Sequence, residues 1–167
     1  MDQRMSKDKY YLNIADAVLD RSTCLRRKYG AIIVKNDEIL STGYNGAPRG
    51  RVNCSQLGYC NREQLNIPSG QRYELCRSVH AEMNAIISAA RSECIGGTIY
   101  LAGRDVATGE LIPDLLPCPM CRRMIINAGL SKIVIRRTPS TYDILNVQDW
   151  VFHDDSVIDP SASGEQA

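Results

Sequence analysis

The chain has 167 residues, 44% of them hydrophobic, and 20 Lys and Arg against 19 Asp and Glu leave a net charge of +1. That apolar content excludes a disordered or collagen-like chain, and the charge balance argues against a protein held to nucleic acid by bulk charge, although it leaves room for a local basic patch. No apolar run reaches roughly 18 residues and the first thirteen residues carry no apolar signal core, so the expectation is a cytoplasmic protein without a membrane span, in which seven Cys read as metal ligands or free thiols before disulfides.

Tyr10, Tyr11, Ile14, Ala15, Val18 and Leu19 recur at helical spacing, which predicts a helix over 6–21 with Ser6 as its N-cap. Residues 29–35 and 38–44 flank Asn36-Asp37 and read as a hairpin with a largely buried first strand. Residues 45–72 are rich in Gly, Pro and other turn formers, with few periodic apolar positions. They predict one long loop, a type of segment that often carries function. A helix is expected from about 79 to 91, with Ala81, Ala85, Ile86 and Ala89 on its apolar face. A strand at 98–102 follows, then a polar excursion over 104–116 with a turn at Gly109. Pro117 leads into a helix over about 118–128, closed by Gly129 at C′. Residues 132–136 form another strand, 141–151 are expected to be irregular with a short strand or turn near Val147, and 153–167 read as a loose tail. The order helix, hairpin, helix, strand, helix, strand predicts an α/β fold, a three-layer α/β/α sandwich around a central mixed sheet. Residues 1–152 are taken as one domain and 153–167 as a flexible tail.

The chemistry concentrates in His80-Ala81-Glu82 and Pro117-Cys118-Pro119-Met120-Cys121. Cys118 and Cys121 stand three apart at a predicted helix start, so their side chains share one face. The positive end of the helix lowers thiol pKa and favours the thiolates that a metal needs. With His80 they make a charge-neutralising set for Zn2+ and leave a fourth tetrahedral position for water, the catalytic rather than the structural arrangement. Glu82 is turned about 200° from His80 around a helix, so it is not a ligand by adjacency. Its expected role is general base and acid, taking a proton from the water and passing it to the substrate. A lone C-x-x-C is as often a structural clip or two idle thiols, and a lone H-x-E is common by chance. The combination carries the weight, since H-x-E followed by P-C-x-x-C is the pattern of zinc nucleobase deaminases.

Four blocks extend that pattern. They are 27–34 (RKYGAIIV), 43–50 (GYNGAPRG), 76–86 (CRSVHAEMNAI) and 117–129 (PCPMCRRMIINAG). Through them, residues 24 to about 136 resemble the cytidine deaminase-like superfamily and, more narrowly, the deoxycytidylate (dCMP) deaminases. The resemblance implies hydrolysis of dCMP to dUMP and ammonia, which feeds thymidylate synthesis. It also implies control by dCTP and dTTP in a homo-oligomer, a hexamer in similar enzymes. It places Asn45 and Gly46 at the sugar, Arg26 and Arg49 at the 5′-phosphate, the Ala81 amide at the pyrimidine carbonyl and Tyr142 over the base. The bland readings are a surface turn with solvated arginines, and a rim or core tyrosine at 142.

Cys24, Cys54, Cys60 and Cys76 do not form C-x-x-C pairs. They are either a second, structural zinc site of the kind some similar deaminases carry, pinning the long loop, or separate thiols packed as small apolar groups. The 104–116 excursion is expected beside the active-site mouth, closing the pocket or meeting a neighbouring subunit. Two other functions remain at this stage. A tRNA or other nucleic-acid deaminase would share the metal chemistry but would want a basic groove. A non-catalytic, zinc-stabilised nucleotide-binding protein would have no use for Glu82.

Overall fold

The structure is a computed structural model that describes residues 3–158. Helix α1 (Lys7–Leu19) starts at Ser6, whose side chain accepts from the Lys9 amide, and buries Tyr11, Leu12, Ala15 and Leu19 along one stripe. Strands β1 (Arg27–Lys35) and β2 (Glu38–Tyr44) form the antiparallel hairpin. Its turn places Asn36 and Asp37 at positive φ, which these two residue types tolerate.

The stretch after the hairpin is not one open loop. It contains α2 (Cys54–Leu57), α3 (Asn61–Gln64) and a 3-10 turn at Tyr73–Leu75. The segment is anchored largely by buried Cys54 and Arg62 rather than by an apolar stripe, so hydrophobic periodicity could not reveal it. The helix expected over 79–91 is also broken, into α4 (Ala81–Ile87) and α5 (Arg91–Cys94). Packing sets the break. Ser41 donates to the Ala85 carbonyl, and Cys94 is buried in the core beyond it.

Strand β3 (Thr98–Asp105) outruns the expected 98–102, because it stays paired with β1 as far as Asp105. Helix α6 (Pro119–Asn127) precedes Gly129, which takes φ +77° as a helix-terminating glycine does. Strand β4 (Lys132–Arg136) follows. The segment expected to be irregular is strand β5 (Tyr142–Asn146) and helix α7 (Val147–Phe152). β5 is an edge strand with three exposed residues, which erased the alternation that marks buried strands. Of the expected tail, 153–158 are exposed and 159–167 lie outside the described residues.

The five strands run in the order β2-β1-β3-β4-β5, with β3 and β4 parallel and the other pairs antiparallel, so the sheet is mixed as expected. Alternate residues of the same strands feed two cores. Ile32, Val34, Tyr100, Ala102 and Val134 pack against α1. Ala31, Ile33, Ile99, Leu101, Ile133 and Ile135 face the opposite way, with Ala81 and Ala85 of α4 and Ile125 of α6. The result is the expected sandwich, with one helix on the first face and the site-bearing helices on the second. Gly43 sets how close α4 comes to β2, because a Cβ there would overlap the Ala81 carbonyl and the Ala85 amide.

Candidate active site

His80 is the N-cap of α4, and Cys118 is the N-cap of α6 with Pro119 just inside it. Both caps have extended backbone, and neither spends its side chain on capping its own helix. The side chains are therefore available to each other. Nδ1 of His80 lies 3.4 Å from both Cys118 Sγ and Cys121 Sγ. Among the described residues these three form the single His, Cys, Asp and Glu group whose ligand atoms lie within 4.8 Å of one another. A tetrahedral zinc with bonds of about 2.3 Å to sulfur and about 2.0 Å to nitrogen would set sulfur and nitrogen about 3.5 Å apart. The three side chains fit that ion as they stand.

The charges of these side chains are interdependent. A hydrogen bond from Cys121 pulls the Cys118 thiol well below the usual thiol range, with His80 adding to it against the cost of burial. Burial works to lower the His80 pKa, but its contacts with Cys118 and Cys76 raise it overall. Glu82 is 6% exposed, and burial pushes its carboxyl above the ordinary carboxylate range. It also reaches the Cys121 side chain. A carboxyl whose protonation is made easier by burial suits a group that must both accept and release a proton.

Glu82, His80 and Cys118 lie in the wall of a partly open cleft. Arg26, Arg27 and Arg62 line it as well, which places basic side chains in its wall. Tyr29 and Tyr73 supply aromatic surface, and Leu115 and Leu116 supply apolar surface. The 104–116 excursion therefore ends as a wall of the cleft. The Arg137 guanidinium ties it down by donating to the Pro113 and Leu115 carbonyls.

The residues expected at the substrate separate into groups. Asn45 lines the cleft, but its Oδ1 accepts from Ser22 Oγ and the Tyr29 amide, and its Nδ2 donates to the Arg27 carbonyl. It braces the start of β1 and keeps one N–H for anything else. Gly46 pairs with Val79 through two backbone hydrogen bonds, which joins its loop to the residue before His80. Ala81 is fully buried at the start of α4, where first-turn amides have no intrahelical partner. Arg26 is in the cleft wall, 3.1 Å from Glu63. Arg49 is exposed and is not among the residues that line the cleft. For Tyr142 the structure agrees with the alternative of a core or rim tyrosine rather than with a place over the base. This residue starts edge strand β5 and packs with the α1-side core, across the sheet from His80.

The four remaining candidate ligands do not assemble. No three of Cys24, Cys54, Cys60 and Cys76 come within ligand distance of one another, and none of the seven cysteines is in a disulfide. Cys24, Cys60 and Cys76 line the cleft, while buried Cys54 is 3.8 Å from an Arg77 nitrogen. Sequence reasoning missed Arg27, Tyr29, Arg62 and Tyr73. Arg27 and Tyr29 alternate along β1, a period-2 signal that was present. Arg62 and Tyr73 reach the cleft through the fold of the long loop, and no local pattern marks them.

Residues 5–137 match the family model described as the cytidine and deoxycytidylate deaminase zinc-binding region. The chain is 37% identical over 132 residues to the deoxycytidylate deaminase of Mycobacterium phage D29, covering 76% of this chain and 91% of that one. It is 33% identical over 131 residues to the deoxycytidylate deaminase of Schizosaccharomyces pombe, covering 78% of this chain but 37% of the yeast protein. Among solved structures, the dCMP deaminase of cyanophage S-TIM5 in complex with dCMP and dUMP is similar at 29% identity and a TM-score of 0.54. That match covers 80% of this chain and 84% of the phage chain.

Proposed function

Because the chain belongs to the cytidine and deoxycytidylate deaminase family, we propose that it hydrolyses dCMP to dUMP and ammonia with one catalytic zinc. A single observation carries the reading. A His and two Cys at tetrahedral spacing lie beside buried Glu82, in a cleft whose wall holds Arg26 and Arg27. His80, Cys118 and Cys121 would hold the ion. A zinc bound by three protein ligands supplies a Lewis acid that brings the pKa of water from 15.7 to about 7.

The remaining work falls to side chains. Glu82 takes a proton from water and delivers it to the ring nitrogen next to the reacting carbon. A second proton passes through the same carboxyl to the exocyclic nitrogen, which leaves as ammonia while the ring gains a carbonyl oxygen. Burial keeps the carboxyl dry, so it exchanges protons with substrate rather than with bulk solvent. First-turn amides of α4, starting at Ala81, are suited to the pyrimidine carbonyl. Arg26 and Arg27 are suited to the 5′-phosphate, since a guanidinium forks onto phosphate oxygens. The basic wall is what favours a nucleotide over a free nucleoside.

On the family resemblance we further expect a homo-oligomer, activation by dCTP and inhibition by dTTP. We also expect a cytoplasmic setting, where thiolate ligands stay reduced. No helix among the described residues is long and apolar enough to cross a membrane. An ammonia-release assay across dCMP, dCTP, deoxycytidine, cytidine and a tRNA stem-loop tests the substrate, and prior chelation tests the metal. The expected result is highest kcat/KM on dCMP, loss of turnover after chelation and recovery with added zinc. Turnover of the stem-loop alone would replace this reading with the nucleic-acid one.

A further inference from the structure

Arg62 is 6% exposed, an unusual place for a guanidinium, which is almost never fully buried unless partnered. One of its terminal nitrogens donates to the Pro68 carbonyl at 2.9 Å and to the Gln71 carbonyl at 2.7 Å, and so closes residues 62–71 into a compact arm. Its Nε is buried without a hydrogen-bond partner. Hydrogen bonding alone does not account for that placement. The guanidinium carbon lies 4.5 Å from the centroid of the Tyr73 ring, where a cation gains from an aromatic face.

Tyr73 in turn meets His80. The two ring centroids are 5.3 Å apart and the planes stand at 86°, an edge-on contact. Cys76, which caps the same 3-10 turn, lines the cleft together with His80. The turn at 73–75 thus supports the ring whose Nδ1 faces the two sulfurs. Histidines that ligate metals depend on such outer contacts for ring orientation, and losing them typically costs about 10–100-fold in metal affinity or activity.

We propose that Arg62 and Tyr73 form a brace that fixes the His80 imidazole in its ligating orientation, so that an arm outside the zinc signature sets how firmly the chain keeps its metal. This rests on the reading of His80 as a zinc ligand. Arg62 and Tyr73 are positioning residues here, acting on the ion through His80. The arm has few apolar anchors of its own, and a buried cation stacked on a ring gives it the rigidity such a role needs.

The test follows transfer of zinc from the purified holoprotein to a chromophoric chelator. Tyr73→Leu and Arg62→Met should release zinc about tenfold faster than the wild type or more. Tyr73→Phe, which keeps the ring, should stay within about twofold of the wild type. Unfolding temperatures of the metal-free forms, measured in parallel, separate loss of the brace from loss of the fold. If Arg62→Met fails to fold, the two Tyr73 variants decide alone. Equal release rates in Tyr73→Leu and the wild type overturn the proposal, and so does Tyr73→Phe releasing as fast as Tyr73→Leu. A wild type that takes up no zinc overturns the metal reading itself, and the brace with it.

Discussion

The two faces of the sheet are made by alternate residues of the same strands, yet they are used differently. On the α1 face, Ile32, Val34, Tyr100 and Val134 pack with Tyr11, Leu12, Ala15 and Leu19 in one buried cluster. Polar groups there are tied off locally. Tyr11 donates to the Asp37 carboxylate, and Tyr100 donates to Asp8. On the other face, Ala31, Ile33, Ile99 and Leu101 form an equally buried base, but two helix starts are held above it with their side chains aimed at each other. The difference shows how a small domain divides its labour: one face supplies the stability on which the other can hold a buried carboxyl and two close thiols without partners of the usual kind.

The sharpest way to break this division is Glu82→Gln. It should lower kcat about 10³-fold, within the range for a lost proton-transfer group, while zinc content and unfolding temperature hold. Turnover near wild type would mean that the carboxyl is only packing. Leu12→Ala on the opposite face should do the converse. Truncating a fully buried leucine costs about 2–5 kcal/mol of stability, visible by denaturant titration, with kcat unchanged at temperatures where the protein stays folded. A matching fall in kcat would show that the faces are coupled.

Arg26→Ala should raise KM for dCMP roughly tenfold, the loss of one charge-assisted hydrogen bond, and leave KM for deoxycytidine nearly unchanged. Equal effects on both substrates would remove Arg26 from the phosphate site. The smallest effect belongs to Tyr11→Phe. Its bond to the Asp37 carboxylate, aided by burial, raises the Tyr11 pKa from 10.0 to about 12. The hydroxyl therefore holds its proton more tightly folded than unfolded. That stabilisation is complete below pH 10.0 and fades as pH rises toward 12. Thermal unfolding of Tyr11→Phe should lose this alkaline slope, and an unchanged slope would place its origin elsewhere.

Most of the α1 face was legible, because its residues obey a plain helical or period-2 rhythm. The cluster of His80, Cys118 and Cys121 was legible for another reason: metal chemistry asks for His and Cys at fixed spacing near helix starts, and few other patterns imitate it. What the sequence hid has physical causes too. β5 is half solvated, so its alternation is lost, and α4 breaks from α5 through a Ser41 bond made across 44 positions. Arg49 was a candidate phosphate ligand because it sits in the glycine-rich block, whereas in the fold it is exposed and Arg26 and Arg27 line the cleft instead. Tyr142 was left between a place over the base and the rim or core because its strand was not assigned, and with it the face. Arg62 was invisible, since nothing local announces that a loop arginine will be buried.

The two halves of the metal site rest on different parts of the sheet. His80 heads a helix packed on the β1–β2 hairpin, whereas Cys118 and Cys121 sit in the connection between β3 and β4. The hairpin can form from neighbours in the chain, but the seam between β1 and β3 joins residues about seventy positions apart. During refolding, assembly of the His80, Cys118 and Cys121 cluster should therefore lag hairpin formation and keep time with closure of that seam, the longest-range strand pairing among the described residues.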